Sequence, residues 1–359
     1  MKLRGVSLRL APPVRLVVFI LSGVFAAGVH AAGVLRVLAW PGYADAEVVR
    51  SFEQKSGARV ELTVIDTDES LWQKVSANGG RDFDVMAVNT AELQRYIAAD
   101  LVQPVDPARI AGTRRQLPRF RKLADIPGLV HVRQGRAEAY AIPYTYSTMG
   151  LIYDRRQFAE APVSISALWE PRNKGKVLAY SGGAHSFSLA AQALGFPSPF
   201  RLQGAEWARA VDKLIELRRN VLGFYNRPEE SVQLFLRHRV ALMFANYGLQ
   251  QLHMLRAAGA DVGYVIPREG ALAWLDCWAV TRGARDVDLV HAWIDHLLGD
   301  TASGLLARRQ GLANTLVESD AGTSSDRIVW LAAVEDAPRR EALWARIHSG
   351  DRATRVLAP

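Results

Sequence analysis

Apolar positions along the chain switch between a period near two and a period near 3.6, and the switches mark out alternating strands and helices. Leu35 to Ala39 is a short apolar run that predicts a strand. Asp45 to Lys55 carries Val48, Val49 and Phe52 on one helical face and stops before Gly57, which predicts a helix with a glycine terminator. Val60, Leu62 and Val64 alternate as a second strand. The pattern then repeats, with a helix around Leu71 to Ser76, a strand at Asp84 to Val88 and a helix from Ala91 to Ala99. Strands separated by single helices predict a mainly parallel α/β sheet. From Pro104 to Gly135 the periodicity is weak and an irregular connection is expected.

Beyond that connection, Tyr140 to Pro143 and Met149 to Tyr153 are extended and apolar, as expected of a chain crossing into a second lobe. A second α/β set follows. Val177 to Tyr180 predicts a strand, Phe187 to Leu194 a helix, and Glu206 to Arg218 an amphipathic helix with Trp207, Val211, Leu214 and Ile215 on one face. Val240 to Ala245 and Val262 to Ile266 read as strands around a helix at Leu249 to Ala258. Trp278 to Thr281 reads as a crossing back, followed by helices at Asp288 to Leu298 and Ser303 to Arg309. The expected division is lobe 1 over 33–140 plus 278–320, and lobe 2 over 141–277 plus 321–359. Two open α/β lobes leave a cleft, and ligands in such sheets collect at the carboxyl ends of strands. That places Trp40 to Tyr43, Asn89 to Thr90, Ser181 to Ser186, Asn246 to Tyr247 and a Trp274 to Cys277 turn at the cleft.

The N-terminus changes where this fold is expected to reside. Lys2, Arg4, Arg9 and Arg15 precede an apolar stretch from Leu16 to Val29, and small residues at Val29 and Ala31 suit cleavage after Ala31. This is the pattern of a secretory signal peptide over 1–31, too short to span a bilayer. The formal charge of +8 then drops to +4, because those four basic residues leave with the leader. The remaining basic residues are scattered beside acids, with no stripe interleaved with aromatics, which argues against nucleic acid as a partner. Cys277 is the single cysteine of the 359 residues, so no intrachain disulfide can form and no cysteine follows the cut to take a lipid anchor. A periplasmic, unanchored monomer is the expectation.

Catalytic signatures are missing: no G-x-S-x-G, no H-E-x-x-H, no Walker A loop and no G-x-G-x-x-G after a strand. His291 and His296 are five apart, on different helical faces, and no adjacent tyrosine pair suggests ferric iron. The reading is of a binding protein rather than an enzyme, with no metal and no cofactor.

Several short stretches, in order, resemble the periplasmic spermidine/putrescine-binding proteins, the solute-capture subunits of polyamine ABC importers. Leu38-Ala39-Trp40-Pro41-Gly42-Tyr43 resembles the family's aromatic turn, and Phe52-Glu53-Gln54-Lys55-Ser56-Gly57 its first helix end. Ile142-Pro143-Tyr144 is similar to its crossing segment, and Leu168-Trp169-Glu170-Pro171-Arg172-Asn173-Lys174-Gly175-Lys176 to its L-W-x-P-x-x-K-G loop. Trp274-Leu275-Asp276 resembles its W-x-D, and Gln310-Gly311-Leu312-Ala313-Asn314 its glycine turn ending in Asn. The resemblance covers the whole mature chain. It implies a two-lobed type II periplasmic binding protein fold that closes over its ligand and hands it to an inner-membrane ABC permease. It also implies Asp276 as counter-ion to an ammonium, Trp40, Tyr43 and Trp274 as stacking walls, and Phe244 where the family places another Trp.

The chemistry is sound apart from the family. A buried ammonium loses several kcal/mol of hydration unless it is paired, and each aromatic face contributes about 0.5–2 kcal/mol toward a cation. Trp-x-Asp on an extended segment sets both side chains on one face. The sequence departs from the family where the far amine would sit, with Gly42 and Ser181-Gly182-Gly183-Ala184-His185-Ser186 in place of acids. Asp276 is then the one acid placed at the site, and a long polyamine would leave an end unpaired. Two glycines and two serines ahead of a helix resemble a backbone anion nest, so a zwitterionic amino acid or aminophosphonate is an alternative ligand, its anion at Gly182 to Ser186. Simple helix capping by Ser181 and Ser186 explains the same residues. Expected ligand contacts are therefore Trp40, Tyr43, Asn89, Ser181, Gly182, Ser186, Phe244, Asn246, Trp274 and Asp276. A sensory module docking on a receptor would use the same fold.

Overall fold

The computed structural model describes residue 1 and residues 33–317 and 327–358. The expected leader, including the Leu16 to Val29 run and the cut after Ala31, lies outside the described residues, as do 318–326.

The chain opens with β1 (Val34–Ala39), α1 (Ala46–Ser56), β2 (Arg59–Val64), α2 (Asp68–Ser76), β3 (Val85–Asn89) and α3 (Thr90–Ala98). Local chemistry sets each helix start. Asp45, Thr67 and Asn89 accept backbone N–H groups of the first turns of α1, α2 and α3, and Gly57 ends α1 in the left-handed conformation. β1 pairs in parallel with both β2 and β3. The weakly periodic stretch holds β4 (Val102–Gln103), short 3-10 turns, α4 (Pro118–Arg121) and an antiparallel hairpin of β5 (Val130–Arg133) with β6 (Arg136–Ala139).

β7 (Ala141–Met149) and β8 (Leu151–Asp154) follow in close succession yet belong to different sheets. The change of sheet falls at Gly150, whose N–H donates to the Tyr264 hydroxyl at 2.9 Å. A Cβ there would lie 2.6 Å from that hydroxyl, so the close approach requires glycine. The second lobe continues with β9 (Val177–Tyr180), α5 (Gly183–Ala193), α6 (Glu206–Asn220), β10 (Gly223–Tyr225), α7 (Pro228–Arg237), β11 (Leu242–Phe244), α8 (Leu249–Ala257) and β12 (Val262–Val265). The chain returns through β13 (Ala271–Thr281), α9 (Val287–Leu297), α10 (Asp300–Leu305), β14 (Ala313–Asn314), β15 (Ile328–Trp330), α11 (Ala337–His348) and α12 (Ala353–Val356).

The described strands form a first sheet in the order β14-β7-β13-β3-β1-β2, with β4 and β15 also on β13, and a second in the order β10-β9-β11-β8-β12. Each sheet is parallel along its β-α-β run. Antiparallel pairs occur at β7, β8 and β13, the strands through which the chain changes lobes. The result is a two-lobed α/β fold of the type II binding-protein kind.

The return crossing is earlier than the apolar pattern suggested. β13 starts at Ala271 rather than near Trp278 and is buried along its whole length. Trp274 to Cys277 is therefore strand interior and not a turn. A central strand covered on both faces reads as one apolar run, which hides where it begins. Four described helices are absent from the sequence pattern: the single-turn α4 and α12, and the longer α7 and α11. Arg340 of α11 is fully buried, pairs with Glu335 at 2.8 Å and donates to the Ser188 hydroxyl at 2.8 Å, which fastens α11 to α5.

Candidate functional site

Between the two sheets lies a cleft lined by side chains of both lobes. The first lobe lines it with Trp40, Pro41, Tyr43, Asp66, Asp68, Asn89, Trp274 and Asp276. The second lobe contributes Tyr180, His185, Arg227, Pro228, Asn246, Tyr247 and Gln250.

Asp276 sits at the centre of β13, where pairing to β7 shifts register between Asp276 and Cys277. Such a bulge re-aims a side chain out of the regular ladder. The carboxylate is 7% exposed and accepts the Tyr43 hydroxyl at 2.5 Å. Tyr43 is held in turn, because its backbone carbonyl accepts the Tyr144 hydroxyl at 3.1 Å. Burial pushes the Asp276 carboxyl up to about 7; the Tyr43 hydrogen bond pulls it down and the charge of Asp68 adds to the rise. This is an acid whose ionised form lacks a cation. Trp274, two residues earlier on the same face, donates its indole N–H to the Asn246 carbonyl at 3.1 Å and so joins the two walls.

Asp68 is a second acid of the same wall, and the sequence reading did not place it there. It opens α2 just after β2 and is half-buried. Asn89, at the end of β3, caps α3 and donates its side-chain amide to Asp68 at 3.1 Å, which orients the carboxylate. Burial lifts Asp68 to about 6 against the pull of Arg95, with Glu341 adding to the rise. Glu92 behind it rises to about 7, through burial and then the charge of Asp68, although Arg95 pairs with it at 2.7 Å. The view that Asp276 stands alone is therefore corrected: Asp66, exposed, and Asp68 share its cleft.

The second wall is different in kind. Tyr180 and Tyr247 meet edge to face at 5.9 Å, and the Tyr247 hydroxyl donates to the Asn226 carbonyl at 2.5 Å. His185 is hydrogen-bonded through Nδ1 to Asn246 Oδ1 at 2.8 Å, and burial lowers its basicity, favouring the neutral ring. Among the described residues this wall lines the cleft with no carboxylate.

Of the residues expected at the ligand, Trp40, Tyr43, Asn89, Asn246, Trp274 and Asp276 are brought together here. Phe244 is not. It is packed into the hydrophobic core at 1% exposure and does not line the cleft. Ser181, Gly182 and Ser186 do not line the cleft either. The helix begins at Gly183, four residues earlier than expected, without a side-chain cap, and Ser186 donates to the Tyr180 carbonyl instead. Its N-terminus already has a carboxylate, since the Ala184 N–H donates to Glu341 at 3.2 Å. A ligand anion has no vacant nest there. Gly42, where the resemblance sets an acid, has φ +81°, and a Cβ would meet the Gln310 side chain at 2.2 Å. Gln310 fills that space and accepts from Gln250 at 3.0 Å.

Among the described residues there is no group of three or more His, Cys, Asp or Glu side chains able to hold a metal ion, and no helix is long and apolar enough to cross a membrane. Residues 47–325 match the family described as bacterial extracellular solute-binding protein. The chain belongs to that family. Among curated relatives, this solute-binding protein is 25% identical over 278 residues to the putrescine-binding periplasmic protein PotF of Escherichia coli, covering 74% of this chain and 73% of PotF. It is 26% identical over 275 residues to a putrescine/agmatine-binding protein of Pseudomonas aeruginosa, covering 72% of each. Of solved structures, it superposes on the spermidine/putrescine substrate-binding protein PotD of Streptococcus pneumoniae with a TM-score of 0.67 at 21% identity, covering 89% of this chain and 97% of that one. A TM-score of 0.65 at 17% identity relates it to AgtB of Agrobacterium in complex with agropinic acid, covering 89% of this chain and 100% of AgtB. These likenesses show the fold.

Proposed function

We propose that this solute-binding protein is the periplasmic capture subunit of a polyamine-type ABC importer and takes a small amine in the interlobe cleft, delivering it to an inner-membrane permease without chemistry. The observation that carries the reading is the pair of desolvated acids on one wall, Asp276 and Asp68, each with its carboxyl raised and neither paired with a cation side chain by a salt bridge. Buried like charges that lack a counter-ion are costly, and an ammonium entering between them relieves both. Trp40, Tyr43 and Trp274 stand beside the acids and suit the methylene chain and the cation face. Curated relatives named for putrescine support the same class of ligand.

The mechanism follows from which wall holds what. The amine docks on the first lobe, its charge against Asp276 and Asp68. Tyr180, Tyr247 and Asn246 of the second lobe then close over it, guided by the Trp274 to Asn246 hydrogen bond. Calorimetric titration of ligand-stripped protein with putrescine and with 1,4-butanediol, which replaces both ammonium groups by hydroxyls, tests the proposal. Putrescine is expected to bind at micromolar concentration or below and the diol not at all. Equal affinity for the two overturns it.

A further inference from the structure

One residue of the cleft does not fit a bare polyamine. Arg227 is an exposed arginine lining the second wall. Among the described residues it makes no ion pair, whereas Arg95, Arg309 and Arg340, all close to the cleft or its supporting helices, are each paired with an acid. Neither acid that follows it closely, Glu229 or Glu230, forms an ion pair with it among the described residues, and Glu230 accepts the Asn226 backbone N–H at 2.8 Å. The position gives no help to the fold. Arg227 is the residue just before α7, where a positive charge has the wrong sign for the helix dipole, and its side chain makes no cap. A polyamine would also bring its own positive charge toward it.

Resting on the amine reading above, we infer that Arg227 pairs with a carboxylate of the ligand, so that the favoured solute is a diamino acid rather than the corresponding diamine. Guanidinium and carboxylate match in a two-point fork. The charge pattern matches as well: two acids, Asp68 and Asp276, for two amines on the first wall, and one cation for one carboxylate on the second. The anion end of the ligand is thereby moved from the start of α5, which Glu341 occupies, to the start of α7.

Ornithine and putrescine share one carbon skeleton and differ by a carboxylate, so their ratio isolates the claim. Titration of the wild-type protein is expected to favour ornithine at least tenfold. Arg227→Gln should weaken ornithine about tenfold and tighten putrescine, reversing the order, and Arg227→Lys should restore part of the preference for ornithine. Because Arg227 is exposed, unchanged melting curves will show that the variants fold. If putrescine is favoured by the wild type, or Arg227→Gln leaves the ratio unaltered, this inference is overturned while the amine reading stands. If neither compound binds the wild type, the amine reading itself has failed.

Discussion

The two walls of the cleft are built from similar strand ends but carry opposite chemistry. The first lobe presents Asp66, Asp68 and Asp276 among Trp40, Tyr43 and Trp274. The second presents tyrosines, amides, a neutral histidine and Arg227. Under the proposed amine reading, charge on one wall and neutral or cationic groups on the other would divide the work: the first lobe would select and hold a cation, and the second would close without adding a second layer of repelling acids. A buried acid with no counter-ion is unfavourable in the empty protein and would be favourable beside a bound ammonium, so on this reading the first wall gives up stability for affinity.

The largest expected effect comes from neutralising that wall. Asp276→Asn keeps shape and can still accept the Tyr43 hydroxyl, yet amine affinity should fall by about 3 kcal/mol, more than a hundredfold. Titration of the variant checks this, and Tyr180→Phe on the opposite wall should change affinity less than threefold.

The same substitution should stabilise the empty protein. Asp276 has a folded-state pKa of about 7, above the ordinary value for aspartate. Its neutral form is thus favoured by the fold, and the stability this provides is complete below the unfolded-state pKa near 4 and is lost as pH rises to about 7. Urea unfolding of the wild type should show stability declining across that window. Asp276→Asn should flatten the decline and be more stable by roughly 2 kcal/mol at pH 8, with no advantage at pH 4.

Protons and ligand compete for the same wall. Because the Asp276 carboxyl is pushed up to about 7 and that of Asp68 to about 6, amine affinity should fall about thirtyfold or more from pH 8 to pH 5.5. Calorimetry in buffers of different ionisation enthalpy at pH 6.5 should detect proton release on binding. Asp68→Asn is the smallest of the effects, about fivefold weaker binding, since Asp68 is only half-buried and Asp276 remains.

Much of the first wall was legible in the sequence. Trp40, Tyr43, Trp274 and Asp276 stand in short motifs, and Asn89 and Asn246 follow strands whose apolar runs are plain. Asp68 carries a comparable signal, because it opens the helix that follows β2 as Asn89 caps the helix that follows β3, whereas the family resemblance points to Gly42 and to the loop after β9. The start of α7 carries its own signal in the sequence, Pro228 followed by Glu229 and Glu230 with Val232 and Phe235 on one face, and Arg227 stands directly before it. The fate of the Gly182 to Ser186 segment was not legible. It depends on Glu341, which is 157 residues away from Ala184 in sequence, and local patterns do not register such a contact. Phe244 failed for a related reason: in a strand as short as β11, alternation does not say which face turns to the cleft.

A crystal structure of the protein with putrescine tests the division between the walls most directly. An ammonium nitrogen within about 3 Å of an Asp276 carboxylate oxygen, with the second directed to Asp68, is the predicted result. Both ammonium groups held by Tyr180, Asn246 or His185, with Asp276 still bonded only to Tyr43, would contradict it.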